Sequence, residues 1–206
     1  DKILTDSGSF SIEDLDVSDD VIFSIAGVNP TGDTASFIVD DAALLALLEI
    51  TPDGLGINGS STTGTLNWEC TAPAGMFDYL ADDESITLEY TLHVDDQNPS
   101  GAAATTDESS ISTTTVTIKI NGTNDVPTIK VVDNTATVDE DDDAITENGS
   151  FTIEDLDVSN PVTISKTGVV VSAGSTYPTV SPDFGPTELL DLLQLTGGTS
   201  IDTVST

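Results

Sequence analysis

The stretch ITLEYTLHV, residues 86–94, alternates without a break. Ile86, Leu88, Tyr90, Leu92 and Val94 fall on one side, and Thr87, Glu89, Thr91 and His93 on the other. A strand turns successive side chains to opposite faces, so the pattern is that of a half-buried antiparallel strand with one wet face. Working outward, Val116, Ile118 and Ile120 alternate with Thr115, Thr117 and Lys119. Leu66, Trp68 and Cys70 alternate with polar neighbours, as do Val21, Phe23 and Ile25, and Phe10 and Ile12. Turn-forming clusters, NPTGD, TPDGLGINGSSTTG and DDQNPSGAA, stand between these runs. The helical exception is DDAALLALLEI, residues 40–50, with Asp40 or Asp41 as its N-cap. The expected fold class is all-β, a sandwich of two antiparallel sheets with one short helix inserted per repeat.

The repeat itself is written in the chain. GSFSIEDLDVS, residues 8–18, returns as GSFTIEDLDVS, residues 149–159, with Thr152 for Ser11 as the only change. ALLALLEI at 43–50 returns more loosely as ELLDLLQL at 188–195. Self-similarity at a long spacing marks tandem modules. The expected division is a first repeat over residues 1–125, lacking its opening strand, and the N-terminal part of a second over 126–206. A slice from a longer array is the simplest reading.

Charge narrows the partners. There are 37 acidic residues against four lysines, no arginine, and a formal net charge of −33. Binding nucleic acid through its phosphates needs a basic patch that this chain cannot assemble. An anionic membrane surface repels it, and no apolar run approaches the roughly 18–20 residues that span a bilayer. The clean alternation separates it from a disordered acidic polymer. Like charges at this density resist compaction, so salt or bound cations must offset them.

The acids are clustered. Glu13, Asp14 and Asp16 stand with Asp19 and Asp20; Asp82 with Asp83 and Glu84; Asp95 with Asp96; and residues 139–143 are acidic throughout. The second module repeats the first cluster as Glu154, Asp155 and Asp157, among apolar residues expected to lie close to the core: Ile12, Leu15 and Val17 in the first copy. Ca²⁺ is the cation that suits many carboxylate oxygens in flexible geometry. Zinc wants cysteine and histidine, and Cys70 and His93 are the only ones. DEDDDAITENGS lacks the glycine and the closing glutamate of an EF-hand, so ligands must gather from separate segments.

FDYLADDESITLEYTLHVDD, residues 77–96, followed by TTTVTIKINGTNDVPTI, residues 113–129, resembles the VCBS-type, cadherin-like repeat of giant bacterial RTX-type surface adhesins. The closing phrase is carried by Val116, Ile118, Gly122, Asn124, Asp125 and Pro127, with one extra residue between Ile120 and Gly122. The resemblance implies immunoglobulin-like sandwiches, repeated in a secreted protein and often joined by Ca²⁺. By position it implies ligands at Asp83 or Glu84, at Asn124 and Asp125 in the linker, at Glu140, and at Asp155 and Asp157. The clusters themselves add Glu13, Asp14, Asp16 and Asp96.

Catalysis finds little support. His93 lies on the polar face of its strand, and Cys70 alternates with core residues, where a thiol is a small hydrophobe rather than a nucleophile. Aromatics are 5% of the chain, and Trp68, Phe77 and Tyr90 fall at core-facing positions rather than in a cleft. Tyr79 is expected at a structural place resembling a tyrosine corner. The expectation is a non-enzymatic spacer of a secreted adhesin or surface filament, stiffened by Ca²⁺, with neighbouring repeats as its partners. The alternatives are a glycan- or peptide-binding module, and a fibre subunit that adds strands from other copies.

Overall fold

The computed structural model describes residues 2–17, 20–34, 39–52, 55–97, 111–137, 146–170, 186–195 and 200–201. The chain divides into two compact units, Asp1–Asp125 and Val126–Thr206. It is an all-β protein of antiparallel sheets, with two short helices among the described residues.

The first unit contains β1 (Leu4–Glu13), β2 (Val21–Gly32), α1 (Asp41–Leu45), β3 (Leu48–Thr51), β4 (Leu55–Ile57), β5 (Thr63–Ala72), β6 (Ser85–Asp95) and β7 (Ile111–Asn121). One sheet has the order β1-β5-β3 and the other β4-β2-β6-β7, every pair antiparallel. β6 pairs with β2 over residues 86–95 on one side and with β7 along its whole length on the other, which places Tyr90 opposite both Val28 and Val116. Ile86, Leu88, Tyr90 and Leu92 are buried as the alternation requires. They meet Ile12, Leu66 and Cys70 of the other sheet in one core. Phe77 is buried with them, whereas Trp68 is only half-buried at the core's margin. Burying such a set is the main favourable contribution to folding.

The 40–50 segment departs from the expected helix. Asp40 is the N-cap, its Oδ1 accepting the amide of Ala43 at 2.7 Å. The helix then ends at Leu45, and Leu48 and Ile50 enter β3 opposite Cys70 and Trp68. A helix this short gains little from propagation. The strand instead gives β5 a second neighbour, and just before β3 the amide of Thr71 donates to the carbonyl of Leu47 at 2.8 Å. Tyr90 locks the remaining helical turn, its hydroxyl donating to the Leu44 carbonyl at 2.9 Å within the core.

The second unit contains β8 (Thr128–Asp133), β9 (Ser150–Glu154), β10 (Val162–Thr163), α2 (Pro186–Leu192) and β11 (Ser200–Ile201). β8 pairs with β9, and β10 with β11. Lys130 and Glu154 form an ion pair across the β8–β9 ladder. Lys166 Nζ donates to the carbonyls of Leu190 at 3.2 Å and Leu193 at 2.9 Å, a cation placed where a helix leaves its last carbonyls open.

Candidate metal centre

The repeated phrase folds the same way twice. In the first unit β1 ends at Glu13 and the next carboxylate turns back on its own chain, Asp14 Oδ1 accepting the amide of Asp16 at 2.9 Å. In the second, Asp155 Oδ1 accepts the amide of Asp157 at 3.2 Å. Such a turn is what an aspartate does when its short side chain reaches the backbone two residues on. It also corrects the sequence reading of the flanking apolar residues. Ile12 is buried, but Leu15 is 79% and Val17 57% exposed, because the turn takes the chain off the strand and its alternation stops mattering. The two copies differ in burial: Asp16 is exposed and Asp157 is fully buried.

Strand register sorts the expected ligands. β6 runs between Glu84 and Asp96, and its 11 residues span roughly 33 Å. At its far end lie Asp95 and Asp96, with Asp95 opposite Ile22 of β2. The connection from β1 to β2 returns to that end, bringing Glu13, Asp14, Asp16 and Asp20 with it. At the near end lie Asp83 and Glu84, with Asp33 beside them and Asn124 and Asp125 just past β7. The expected set is therefore two sets, at opposite ends of the first unit. Asp155 and Asp157 belong to the second unit. Glu140 and the rest of the 139–143 run lie outside the described residues, as does Asp19.

At the near end the carboxylates are engaged in holding the turn. Glu84 accepts the amide of Ala81 at 2.9 Å through Oε2, and its own carbonyl accepts the amide of Gly122. Asp33 Oδ2 accepts the amide of Ser85 at 2.8 Å, while its own amide donates to the Ser85 carbonyl. Asp83 carries the turn in a left-handed conformation, φ 71°. Asn124 donates through Nδ2 to the Asp125 carbonyl at 2.7 Å. Tyr79 packs over this end, and burial together with the charges of Glu84 and Asp33 pushes its pKa up to about 12. Asp33 escaped the sequence reading, which took it only as the last residue of the turn-forming cluster NPTGD, whereas β2 runs through that cluster to Gly32 and Asp33 follows it.

At the far end Asp20 Oδ1 accepts the amide of Gly59 at 2.8 Å, and Asp95 Oδ1 that of Gln97 at 2.9 Å. Asp14 Oδ2 is the exception: it is sealed from solvent and has no hydrogen-bond partner among the described residues. A bare buried carboxylate oxygen is costly, and it is the hard donor that Ca²⁺ takes. No three histidine, cysteine, aspartate or glutamate side chains converge among the described residues. A Ca²⁺ here would be held by Asp14 with backbone carbonyls and water completing its shell.

Comparison with protein families, curated proteins and solved structures finds no match to this chain. Among the described residues no helix is long and apolar enough to cross a membrane.

Proposed function

We propose that this chain is a run of spacer repeats from a secreted bacterial surface adhesin. Each unit is read as an immunoglobulin- or cadherin-like sandwich, and Ca²⁺ at the acidic strand ends and at the joints between repeats stiffens the run. The observation that carries this is the acid-bearing turn formed alike by Asp14 with Asp16 and by Asp155 with Asp157, one oxygen of Asp14 being buried without a donor. Two further facts support it. The net charge of −33 demands counter-cations, and carboxylates stand at both ends of the first unit, where a tandem repeat meets its neighbours. The resemblance of residues 77–96 and 113–129 to the VCBS-type repeat points the same way.

The mechanism is electrostatic. Only six residues, 122–127, separate β7 from β8. Acidic ends joined by so short a linker repel, and a cation shared among their oxygens reverses the sign of that interaction. Extracellular modules hold Ca²⁺ at about 10⁻⁴–10⁻³ M, so such sites empty inside a cell and fill outside. Small-angle scattering of the whole chain tests the stiffening. Dimensions that grow and sharpen in millimolar Ca²⁺ against chelator, at constant ionic strength, support it; dimensions indifferent to Ca²⁺ reject it.

A second reading has one observation in its favour. An open cavity of about 370 Å³ lies on the first sheet, lined by Ser7, Ser9, Glu49, Asn67, Trp68 and Glu69 among others. Polar groups beside an aromatic suit a sugar. Saturable binding in a glycan screen, lost on Trp68→Ala, would favour this module over the spacer.

A further inference from the structure

Asn–Gly occurs three times in the chain, at 58–59, 121–122 and 148–149. In this pairing the backbone nitrogen of the glycine can attack Cγ of the asparagine side chain, because glycine has no Cβ to block the approach. Two obstacles hold such a reaction back. The attacking nitrogen carries a proton, and the side-chain amide carbon is a poor electrophile.

At Asn58 the fold sets a group against each obstacle. The residue follows β4, in the turn that leads to β5, and its own carbonyl accepts the amides of Ser60 at 2.6 Å and Ser61 at 3.1 Å. Its side chain folds back over the same turn, Oδ1 accepting the Ser60 hydroxyl at 2.5 Å and the Ser60 amide at 3.3 Å. Two donors on one carbonyl oxygen draw electrons from Cγ and stabilise the negative charge that builds there under attack. The Gly59 amide donates to Asp20 Oδ1 at 2.8 Å, within reach for the carboxylate to take its proton. Asp20 is 39 residues from Gly59 in sequence. The pairing of β4 with β2, Ile57 opposite Val21, brings the two together. Asp20, Asn58, Gly59 and Ser60 are all exposed, so water reaches them. At Asn121 the setting differs. The Gly122 amide donates to the Glu84 carbonyl at 2.9 Å, a neutral group that takes no proton, and the Gly122 backbone is wedged against the carbonyls of Leu80 and Ala81.

We infer that Asn58, Gly59 and Ser60 form with Asp20 a self-modifying site, which converts Asn58 through a cyclic imide. The Gly59 nitrogen bonds to Cγ of Asn58, and its proton passes to Asp20. The bond from Cγ to the side-chain nitrogen breaks, and that nitrogen leaves as ammonia, taking the proton back from Asp20. Water then opens the imide at either carbonyl, leaving an aspartate or a β-linked isoaspartate at position 58. Asp20 is returned unchanged, and water is the only co-reactant. The product adds a negative charge at the end of the first unit where Asp95 lies opposite Ile22. The charge of that end is thereby set by the age of the protein. None of this chemistry requires Ca²⁺.

Freshly prepared whole chain, incubated at neutral pH and sampled by peptide mapping with mass spectrometry, tests it. Enzymatic methylation of isoaspartate identifies the β-linked product. Position 58 is expected to convert about tenfold or more faster than position 121, and faster in the native chain than in the same chain unfolded in urea. Asp20→Asn should slow position 58 about tenfold or more. Ser60→Ala should slow it about threefold or more, since the amide of residue 60 still donates. Loosening of the fold would speed both positions, so slowing confined to position 58 is the signature of lost catalysis. Equal rates at 58 and 121, or faster conversion in urea than in the native chain, would overturn the proposal. So would an Asp20→Asn variant that converts as fast as the parent or faster, which would show that the carboxylate only holds the amide in place.

Discussion

The hydroxyl of Tyr90, at the middle of β6, donates to the carbonyl of Leu44 in α1 at 2.9 Å, and both residues are fully buried. The bond ties α1 to an inner strand of the larger sheet. Tyr90→Phe keeps the ring and removes the bond. Leu44 retains the Leu47 amide as a donor to its carbonyl, so the loss is expected to be about 1 kcal/mol. Urea unfolding followed by circular dichroism measures it. A change near zero would mean the hydroxyl contributes nothing to stability.

Gly122 follows β7 immediately, and a Cβ there would stand 2.2 Å from the Ala81 carbonyl oxygen and 2.5 Å from that of Leu80. Both obstacles are backbone and cannot swing aside. Gly122→Ala is expected to destabilise by about 1–3 kcal/mol through overpacking and to loosen the Glu84 turn, whose carbonyl accepts the Gly122 amide. Thermal unfolding checks it, with Gly27→Ala as the control, since a Cβ at Gly27 meets nothing within 4 Å.

Alkali should unfold the first unit through its tyrosines. Burial raises the pKa of Tyr90 and, with the Glu84 and Asp33 charges, lifts that of Tyr79 to about 12 from the ordinary 10.0. Both are acids whose neutral form the fold favours. The stability they contribute is complete below pH 10 and drains as the pH climbs past it toward 12 for Tyr79. Absorbance titration of phenolate should show these two ionising late and together with unfolding. Ionisation of all three tyrosines of the chain near pH 10, without loss of structure, would contradict this.

Cys70 is 4% exposed, and burial with the nearby Asp6 charge raises its thiol pKa above the ordinary 9.0. A disulfide reagent at pH 8 should react at least a hundredfold more slowly with the native protein than in denaturant. Fast native reaction would show that β5 opens locally.

The fold was legible where one rule governed a whole element. β6 alternates over its full length, and both its faces are decided by that alternation. Residues 43–50 were not, because Leu44, Leu47 and Leu48 are spaced for a helix while Leu48 and Ile50 are spaced for a strand, and pairing with β5 settled the contest. Leu15 and Val17 misled because apolar residues continue past the point where Asp14 turns the chain. The need for glycine at Gly8, where a Cβ would sit 2.7 Å from the Trp68 indole, could not be read locally at all, since it depends on which strand brings Trp68 opposite. Among the expected ligands, Asp83 and Asp96 are close in sequence, but the extended strand between them carries them to opposite ends.

The proposed Ca²⁺ sites lie at the carboxylates of the repeated turn. Calorimetric titration of the whole chain with Ca²⁺ in 0.15 M salt, where diffuse attraction is screened to about 8 Å, tests them most directly. Saturable binding is expected in the range of about 10⁻⁴–10⁻³ M, with sites lost in Asp14→Asn and Asp155→Asn while Glu89→Gln, on the outer face of β6, leaves them intact. Heats that never saturate, or that Mg²⁺ and all three variants reproduce alike, would contradict it.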